Sequence, residues 1–260
     1  MLLAVDVGNT ETLAAIYAGE ELVHDWRLST ERTTTADELA ARHEGVLRLR
    51  GCSLTELDDM VISSVVPTLT SSYERLSETY LQGSALVVGP GVRTGIALAI
   101  DNPRELGADR LVNAVAAHRR YEGAAIVVDF GTATTFDAVS AAGEYLGGAI
   151  APGIETSLEA LSSRAARLLA VDLVPPARAI GKSTAESMRS GAVYGTVAMV
   201  DGLVARFRGE LDAAAVVVAT GGLAPLVSEL SEESDEFDRM LTLEGLRMVH
   251  SLNDGTEVGS

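Results

Sequence analysis

Cysteine is nearly absent from this chain, since Cys52 is the only one among 260 residues. One thiol excludes an intramolecular disulfide and provides no cluster of thiolates for a metal ion. Long apolar runs are also missing at the N-terminus, where Asp6 and Gly8 interrupt the first one and no basic region precedes it. We therefore expect neither a signal peptide nor a membrane span, and a reducing, cytoplasmic location.

Basic side chains are scarce as well. The chain carries 20 lysines and arginines against 37 acidic residues, a formal net charge of −17. This charge opposes docking on the phosphates of nucleic acid or on anionic lipid, so we expect no nucleic acid and no membrane among the partners. An anionic ligand must instead be bound by local donors and by metal.

Aromatic residues make up only 4% of the chain, whereas apolar residues make up 47%. An apolar content carried by Ala, Val and Leu is typical of parallel strands that helices cover on both faces. The composition therefore predicts an α/β protein.

An apolar strand that ends in an Asp-x-Gly turn with hydroxyl residues occurs twice, 123 residues apart. Residues 2–5 lead into Asp-Val-Gly-Asn-Thr at 6–10, and residues 125–128 lead into Asp-Phe-Gly-Thr-Ala-Thr-Thr at 129–135. A single copy is ordinary turn chemistry. In two copies, backbone N–H groups and hydroxyls can cradle phosphates while Asp6 and Asp129 face a cation. The repeat predicts a nucleotide clamp and two similar halves, 1–108 and 109–252, followed by a polar tail at 253–260.

The first half reads as β-β-β-α-β-α-β. After the first strand at 2–5, its predicted strands are 12–18, 21–28, 60–66 and 85–88, and its helices are 36–49 and a segment after Pro67. Residues 89–108 form a long Gly- and Pro-rich connection, which is a reason to suspect function. A helix over 109–120 follows.

The second half begins with the strand that ends at Asp129. A hairpin of 136–139 and 145–150, a Gly/Pro loop at 147–153 and helices at 155–168 and 184–207 follow. The strand 215–219, a helix, an acidic loop at 231–238 and a helix at 243–252 complete the prediction.

Two further motifs carry possible chemistry. The segment Gly107-Ala108-Asp109-Arg110 begins a helix, where Asp109 is either a first-turn acid or a general base, and Arg110 can pair with a carboxylate or phosphate. Thr220-Gly221-Gly222 is either a plain connector or a surface for adenosine. Residues 180–184 fail as a P-loop because Pro176 replaces the required glycine, so Ser183 or Thr184 is expected to cap a helix. The four histidines show no paired ligand spacing.

Taken in order, these motifs, together with Asp101-Asn102-Pro103 and the Gly-Gly-Ala-Ile-Ala-Pro-Gly run at 147–153, closely resemble the type III pantothenate kinases. That family belongs to the acetate and sugar kinase, heat-shock chaperone and actin superfamily, and the resemblance covers roughly residues 1–250. It implies two ribonuclease-H-like (actin-like ATPase) domains with mixed sheets flanked by helices and a nucleotide cleft between them. It also implies ATP-dependent phosphorylation of pantothenate, the first step of coenzyme A synthesis, by a homodimer.

The resemblance also implies a role for individual residues. The ATP-binding residues would be Asp6, Val7, Gly8, Asn9, Thr10, Glu11, Thr12, Leu13, Thr132, Gly221 and Gly222. The pantothenate-binding residues would be Ile100, Gly107, Ala108, Asp109, Arg110 and Thr184. Asp109 would be the proton acceptor, Asp129 would bind a monovalent cation (potassium or ammonium), and Asp6 would face the Mg²⁺ that accompanies ATP, directly or through water.

Three positions depart from the family pattern. Glu11 places a negative charge beside the expected phosphate site, Ile100 stands where many members have Tyr, and Ser183 replaces the usual Asn. Glu11 keeps open the alternative of a catalytically silent relative that binds ligand or nucleotide in a regulatory role. Ile100 keeps open another kinase or phosphatase of the superfamily with a different small acceptor.

Overall fold

The computed structural model describes residues 1–165, 168 and 170–254. The N-terminal part contains β1 (Leu2–Val7), β2 (Glu11–Ala18), β3 (Glu21–Ser29), α1 (Ala36–Leu49), β4 (Asp59–Ser64), α2 (Pro67–Tyr80) and β5 (Ala85–Val87). These strands form one sheet in the order β3-β2-β1-β4-β5. Strand β1 is central, antiparallel to β2 and parallel to β4.

The rest of the chain contributes a second sheet. This part of the chain contains β6 (Ala97–Leu98), α3 (Ala108–Arg120), β7 (Ala125–Phe130), β8 (Ala133–Val139), β9 (Glu144–Pro152), α4 (Ile154–Arg164), α5 (Thr184–Glu210), β10 (Val216–Thr220), α6 (Ala224–Ser228), β11 (Glu236–Phe237) and α7 (Leu241–Asn253). The strand order is β11-β10-β7-β8-β9-β6. Even the 27-residue α5 does not qualify as a membrane span, and neither does any other helix within the described residues.

The two sheets repeat one topology. Apart from β6, the second sheet places β9, β8, β7, β10 and β11 as the first sheet places β3, β2, β1, β4 and β5. The equivalent central strands β1 and β7 each end at an Asp-x-Gly turn. The mixed α/β architecture with two sheets predicted for this chain is therefore confirmed.

Residue contacts divide the chain into two compact units that are discontinuous in sequence. One unit comprises Met1–Gly95, Asn102–Ala116 and the chain from Leu241 onwards, and the other comprises Ile96–Asp101 and Ala117–Met240. The continuous halves expected at 1–108 and 109–252 do not follow this division. Helix α7 joins the first unit because it packs on β1, β2 and β4, where the Arg247 guanidinium lies 5.9 Å from the centre of the Tyr17 ring. Most of the expected tail, residues 255–260, lies outside the described residues.

Four local predictions differ from the structure. The Gly/Pro run at 147–153 is not a loop up to Pro152, since β9 continues through it and pairs with β8. The connection 89–108 contains the short strand β6, which pairs with β9, and the acidic segment 231–238 contains β11. Helix α4 ends at Arg164, and the predicted extension to 168 falls partly outside the described residues.

Helix α1 illustrates how the sequence defines an element. Thr35 caps it, because the Thr35 side chain accepts a hydrogen bond from the Glu38 N–H, while the Thr35 N–H donates to Glu38 Oε2 at 2.9 Å. This capping box satisfies two backbone donors at the start of the helix. The hydrogen bond from the Thr35 backbone also lowers the pKa of Glu38. The buried face of α1, including Leu39 and Leu47, then packs into the core of the first unit.

His43 on α1 is fully buried, and this burial lowers its pKa to about 4. In the unfolded chain the imidazole has its ordinary pKa near 6.5, so between these two values the unfolded state binds the extra proton. The stabilisation is complete above pH 6.5 and is lost as the pH falls towards 4, by about 3 kcal/mol at 1.4 kcal/mol per pH unit. Urea unfolding at pH 7 and pH 4.5 should show this loss. In a His43→Gln variant the free energy of unfolding should change less between these two pH values. An equal change in both proteins would show that His43 does not cause the loss.

Candidate functional site

The first Asp-x-Gly turn, residues 6–10, connects β1 to β2. The Gly8 N–H donates to the Glu11 carbonyl at 3.0 Å, and the Thr30 N–H donates to the Thr10 carbonyl at 2.9 Å. Asp6 is half-buried at the end of β1, while Asn9 and Thr10 are exposed. The turn therefore exposes polar side chains on a backbone that hydrogen bonds hold in place.

Two arginines lie beside this turn. Arg32 Nη2 donates to Asn9 Oδ1 at 3.1 Å, and Arg27 Nη1 forms an ion pair with Glu11 Oε2 at 3.3 Å. The negative charge of Glu11, a departure from the family pattern, is thus partly balanced by a guanidinium from β3. The sequence analysis missed both arginines, because only the pairing of β2 with β3 shows that they lie close to the turn.

The sequence resemblance implies that this turn binds ATP, and on that implication we expect the Arg27–Glu11 pair to modulate ATP binding. Replacing Arg27 with Ala leaves the Glu11 charge uncompensated and should raise the KM for ATP about two- to fivefold at low ionic strength, the range of an exposed ion pair. The double variant Arg27→Ala, Glu11→Gln should restore the original KM. An equal KM for the single and double variants would show that Glu11 does not influence the phosphates.

The second turn, residues 129–132, occupies the equivalent place at the end of β7. Its backbone is held from α4, because the Thr132 carbonyl accepts a hydrogen bond from the Gly153 N–H at 3.0 Å and from the Thr156 hydroxyl at 2.8 Å. Thr132 itself is exposed. The beginning of α4 therefore fixes the second turn, a role of Thr156 that no motif indicated.

Gly221 brings a third turn against Asp129. Strand β10 is parallel to β7 with Thr220 opposite Asp129, so the turn after β10 lies beside the carboxylate. Gly221 has a φ of 92°, and a Cβ there would lie 2.5 Å from Asp129 Oδ1 and 2.7 Å from the Phe130 N and O atoms. The sheet thus brings together three sequence-predicted residues, Asp129, Thr132 and Gly221.

Asp109 lies in the first turn of α3. Its Oδ1 atom accepts a hydrogen bond from the Arg110 N–H at 2.9 Å. A Cβ added to Gly107 would lie only 2.4 Å from this Oδ1 atom. The residues Gly107, Ala108, Asp109 and Arg110 are all half-buried. Gly107 therefore permits the orientation of the Asp109 carboxylate, which is held by the helix start.

The other two predicted pantothenate residues, Ile100 and Thr184, belong to the second unit. Ile100 follows β6 and lies against Gly147 of β9, with its Cγ2 atom 3.6 Å from the position of a Cβ there. Thr184 is the first residue of α5, and Ser183 caps this helix as predicted, by accepting from the Glu186 N–H at 3.2 Å. Thr184 also lines an apolar groove of about 420 Å³ between α4 and α5 with Leu158, Leu161 and Met188.

One group of possible metal ligands lies elsewhere. Asp59, His250 and Asp254 place one ligand atom each within 4.8 Å of one another. Sequence spacing did not reveal this cluster, because Asp59 comes from β4 and the other two from the end of α7. Exposed carboxylates commonly form such groups without an ion, and the cluster is not among the predicted cation sites.

Comparison with known proteins decides the family. The family model described as Type III pantothenate kinase matches residues 2–206. The chain belongs to the type III pantothenate kinase family. The type III pantothenate kinase of Moorella thermoacetica is 50% identical over 253 residues, 97% of this chain and 100% of that protein. That of Myxococcus xanthus is 49% identical over 253 residues, 97% of this chain and 99% of that protein.

Solved structures agree with the fold. The ROK hexokinase of Thermus thermophilus has a TM-score of 0.53 at 17% identity, over 95% of this chain and 97% of that chain. The inorganic polyphosphate/ATP-glucomannokinase of Arthrobacter sp. strain KM has a TM-score of 0.51 at 12% identity, over 97% and 98%. These likenesses support the ribonuclease-H-like, actin-like ATPase fold implied by the sequence.

Membership of the type III pantothenate kinase family confirms the predicted enzyme class. The activity is ATP-dependent phosphorylation of pantothenate in coenzyme A biosynthesis. Kinases of this kind depend on ATP and on a divalent metal ion. The similarity to type III pantothenate kinases extends over nearly the full length of the chain. It favours this activity over a silent relative and over a kinase or phosphatase with a different acceptor.

Proposed function

We propose that Asp109 is the general base of pantothenate phosphorylation. The Asp109 carboxylate takes the proton of the primary hydroxyl as that oxygen forms a bond to the γ-phosphorus of ATP. The bond between the γ-phosphorus and the bridging oxygen breaks, and ADP leaves with the electron pair. The observation that carries the proposal is the fixed carboxylate at the start of α3, held by the Arg110 N–H and given room by Gly107. Phosphoryl transfer gains mainly from such positioning and from charge neutralisation.

The ATP phosphates are assigned to the two Asp-x-Gly turns. The proposed ATP residues are Asp6, Val7, Gly8, Asn9, Thr10, Glu11, Thr12, Leu13, Thr132, Gly221 and Gly222. Support comes from the equivalent positions of the two turns in repeated sheets and from the fixed Thr132 backbone. The Arg27–Glu11 ion pair partly balances the negative charge that speaks against this assignment.

Cations complete the proposed site. Asp129 is the proposed ligand of a potassium or ammonium ion, and Asp6 faces the Mg²⁺ that accompanies ATP, directly or through water. Carboxylate oxygens at strand ends suit Mg²⁺ and potassium, which prefer oxygen ligands, and they can accept hydrogen bonds from ammonium. When bound there, a divalent ion would supply positive charge that offsets the charge of the phosphates.

Pantothenate is assigned to Ile100, Gly107, Ala108, Asp109, Arg110 and Thr184. Its carboxylate suits the guanidinium of Arg110, which can form a charge-assisted, bidentate hydrogen bond. Ile100 offers an apolar wall in place of a hydroxyl. We further propose that the enzyme is a cytoplasmic homodimer.

Coupled ADP release tests the proposal. Purified protein is assayed with magnesium-ATP, with and without pantothenate, in potassium, ammonium and sodium buffers. We expect turnover that needs pantothenate together with potassium or ammonium. Equal turnover in sodium buffer would contradict the assignment of Asp129 as the ligand of a potassium or ammonium ion. Folded protein without pantothenate-dependent turnover would reinstate the silent relative, and turnover with another small alcohol alone would reinstate a changed acceptor.

A further inference from the structure

A fully buried carboxylate lies on β8 in the second unit. Asp137 is 0% exposed. The Tyr145 hydroxyl of β9 donates to Asp137 Oδ1 at 2.6 Å, and the Thr135 hydroxyl of β8 donates to Asp137 Oδ2 at 3.3 Å. Removing a carboxylate from water is unfavourable even where hydrogen bonds compensate it, so its presence in this sheet requires an explanation.

The internal repeat shows that the fold does not need polar residues at these places. Strand β8 corresponds to β2 in the repeated topology. Leu13 pairs with the aspartate of the first Asp-x-Gly turn, and Thr135 pairs with the aspartate of the second. Two residues further along each strand, Ala15 corresponds to Asp137, and both are 0% exposed. The first unit therefore builds this face from apolar side chains, and only the second unit has polar ones.

Strand pairing places Thr135 beside the proposed cation ligand. Asp129 and Thr135 are directly opposite each other in the antiparallel pair of β7 and β8, and both are half-buried. Side chains of such a pair lie on the same face, with Cβ atoms about 4.5–5.5 Å apart. The Thr135 hydroxyl has a single proton, which it directs to Asp137, so its oxygen offers lone pairs in the other directions.

We propose that the Thr135 hydroxyl oxygen is a second ligand of the monovalent cation and that Asp137 is a positioning residue, which acts by accepting the Thr135 proton. The inference rests on the proposed cation site at Asp129 and adds a neutral oxygen to it. A carboxylate beside a hydroxyl whose proton points away offers two oxygens to one cation. Potassium prefers such oxygen ligands.

Potassium binding can be measured without turnover. An ion that binds only the folded state raises the free energy of unfolding as its concentration rises, which gives its dissociation constant. We would unfold the protein in urea with magnesium-ATP and no pantothenate, in mixtures of potassium chloride and choline chloride at constant ionic strength. Thr135→Val should raise the dissociation constant for potassium about tenfold, the factor of one lost interaction with a charged group. Thr135→Ser keeps the hydroxyl and should change it less than twofold.

Thr134 provides a matched control, because the same substitution one residue earlier falls on the opposite face of β8. Thr134 is 1% exposed, and its Oγ1 atom has no hydrogen-bond partner within the described residues. Thr134→Val should therefore leave the dissociation constant for potassium unchanged. Equal increases in the two Val variants would show that Thr135 acts only through the packing of the strand, and would overturn the proposal.

A double-mutant cycle tests the role of Asp137. The Asn amide has one oxygen, so in Asp137→Asn it cannot accept from both hydroxyls. We expect this variant to raise the dissociation constant for potassium about three- to fivefold, and to have no further effect when combined with Thr135→Val. The same increase in both backgrounds would show that Asp137 does not act through Thr135, and the positioning role would be refuted.

Asp129→Asn separates this proposal from the one on which it rests. If Asp129→Asn leaves the dissociation constant for potassium unchanged, or if potassium does not stabilise the original protein, the proposed cation site fails. If Asp129→Asn weakens potassium binding while Thr135→Val does not, only the second ligand is refuted.

Discussion

Replacing Asp109 with Asn is expected to lower kcat for pantothenate phosphorylation by a factor of about 10²–10⁴, the usual contribution of a general base. Asn has the same shape, and its oxygen can still accept the Arg110 N–H bond that Asp109 Oδ1 accepts at 2.9 Å. The side chain also fits the space beside Gly107. The variant therefore keeps the start of α3 and loses only the group that takes the proton. Steady-state ADP release, with circular dichroism as a check of folding, measures this effect.

A control must separate catalysis from helix stabilisation, since acids in the first turn stabilise helices through the helix dipole. Asp37 is such an acid in α1, and no role in the reaction is assigned to it. Asp37→Asn should change stability by less than about 1 kcal/mol and leave kcat unchanged. If Asp109→Asn behaves like Asp37→Asn, then Asp109 is only a first-turn acid.

The repeated topology was predictable because it rests on local signals. Apolar strands ending in Asp-x-Gly begin both halves, and the structure places them as equivalent central strands, β1 and β7. Helix α1 matches its predicted range, 36–49, and carries Asp37 and Glu38 in its first turn. Alternation, caps and turns act within a few residues of each other, so sequence alone carries them.

Other features depend on partners far away in the chain. Strands β6 and β11 are two residues long and exist because β9 and β10 offer them an edge. The glycines at 147–148 favour a loop by composition, yet pairing with β8 makes this segment a strand. The amphipathic pattern of α7 shows which face is buried, but it does not show that β1 and β4 are the surface on which α7 packs. Sequence periodicity leaves such tertiary choices open.

The same distinction applies to the site. Asp129 and Thr132 were predicted from one turn and Gly221 from another, and the parallel pairing of β7 with β10 places Gly221 beside Asp129. Arg27, Arg32 and Thr156 are ordinary residues in sequence, and only strand pairing and the position of α4 reveal that they support the turns. Motifs identify the groups that meet a ligand, whereas the groups that hold them emerge from the fold.

Gly221→Ala should therefore be among the most damaging single-methyl changes in the second unit. A non-glycine residue at a φ of 92° is strained, and the new Cβ would lie 2.7 Å from backbone atoms of Phe130 that cannot rotate away. We expect the Asp129 carboxylate to be displaced, the KM for potassium to rise about tenfold or more, and the unfolding free energy to fall by about 2–4 kcal/mol. Potassium titration of the activity and urea unfolding measure the two effects.

Gly123 is a close control for this prediction, since it lies in the same unit. Its φ is 90°, but a Cβ there would meet nothing within 4 Å. Gly123→Ala should therefore carry the backbone strain alone, about 1–2 kcal/mol, with an unchanged KM for potassium. The difference between the two variants isolates the contact of Gly221 with Asp129 and Phe130. If both variants raise the KM for potassium equally, backbone strain in the unit, and not displacement of Asp129, determines potassium affinity. The assignment of Asp129 as the potassium ligand then loses this support.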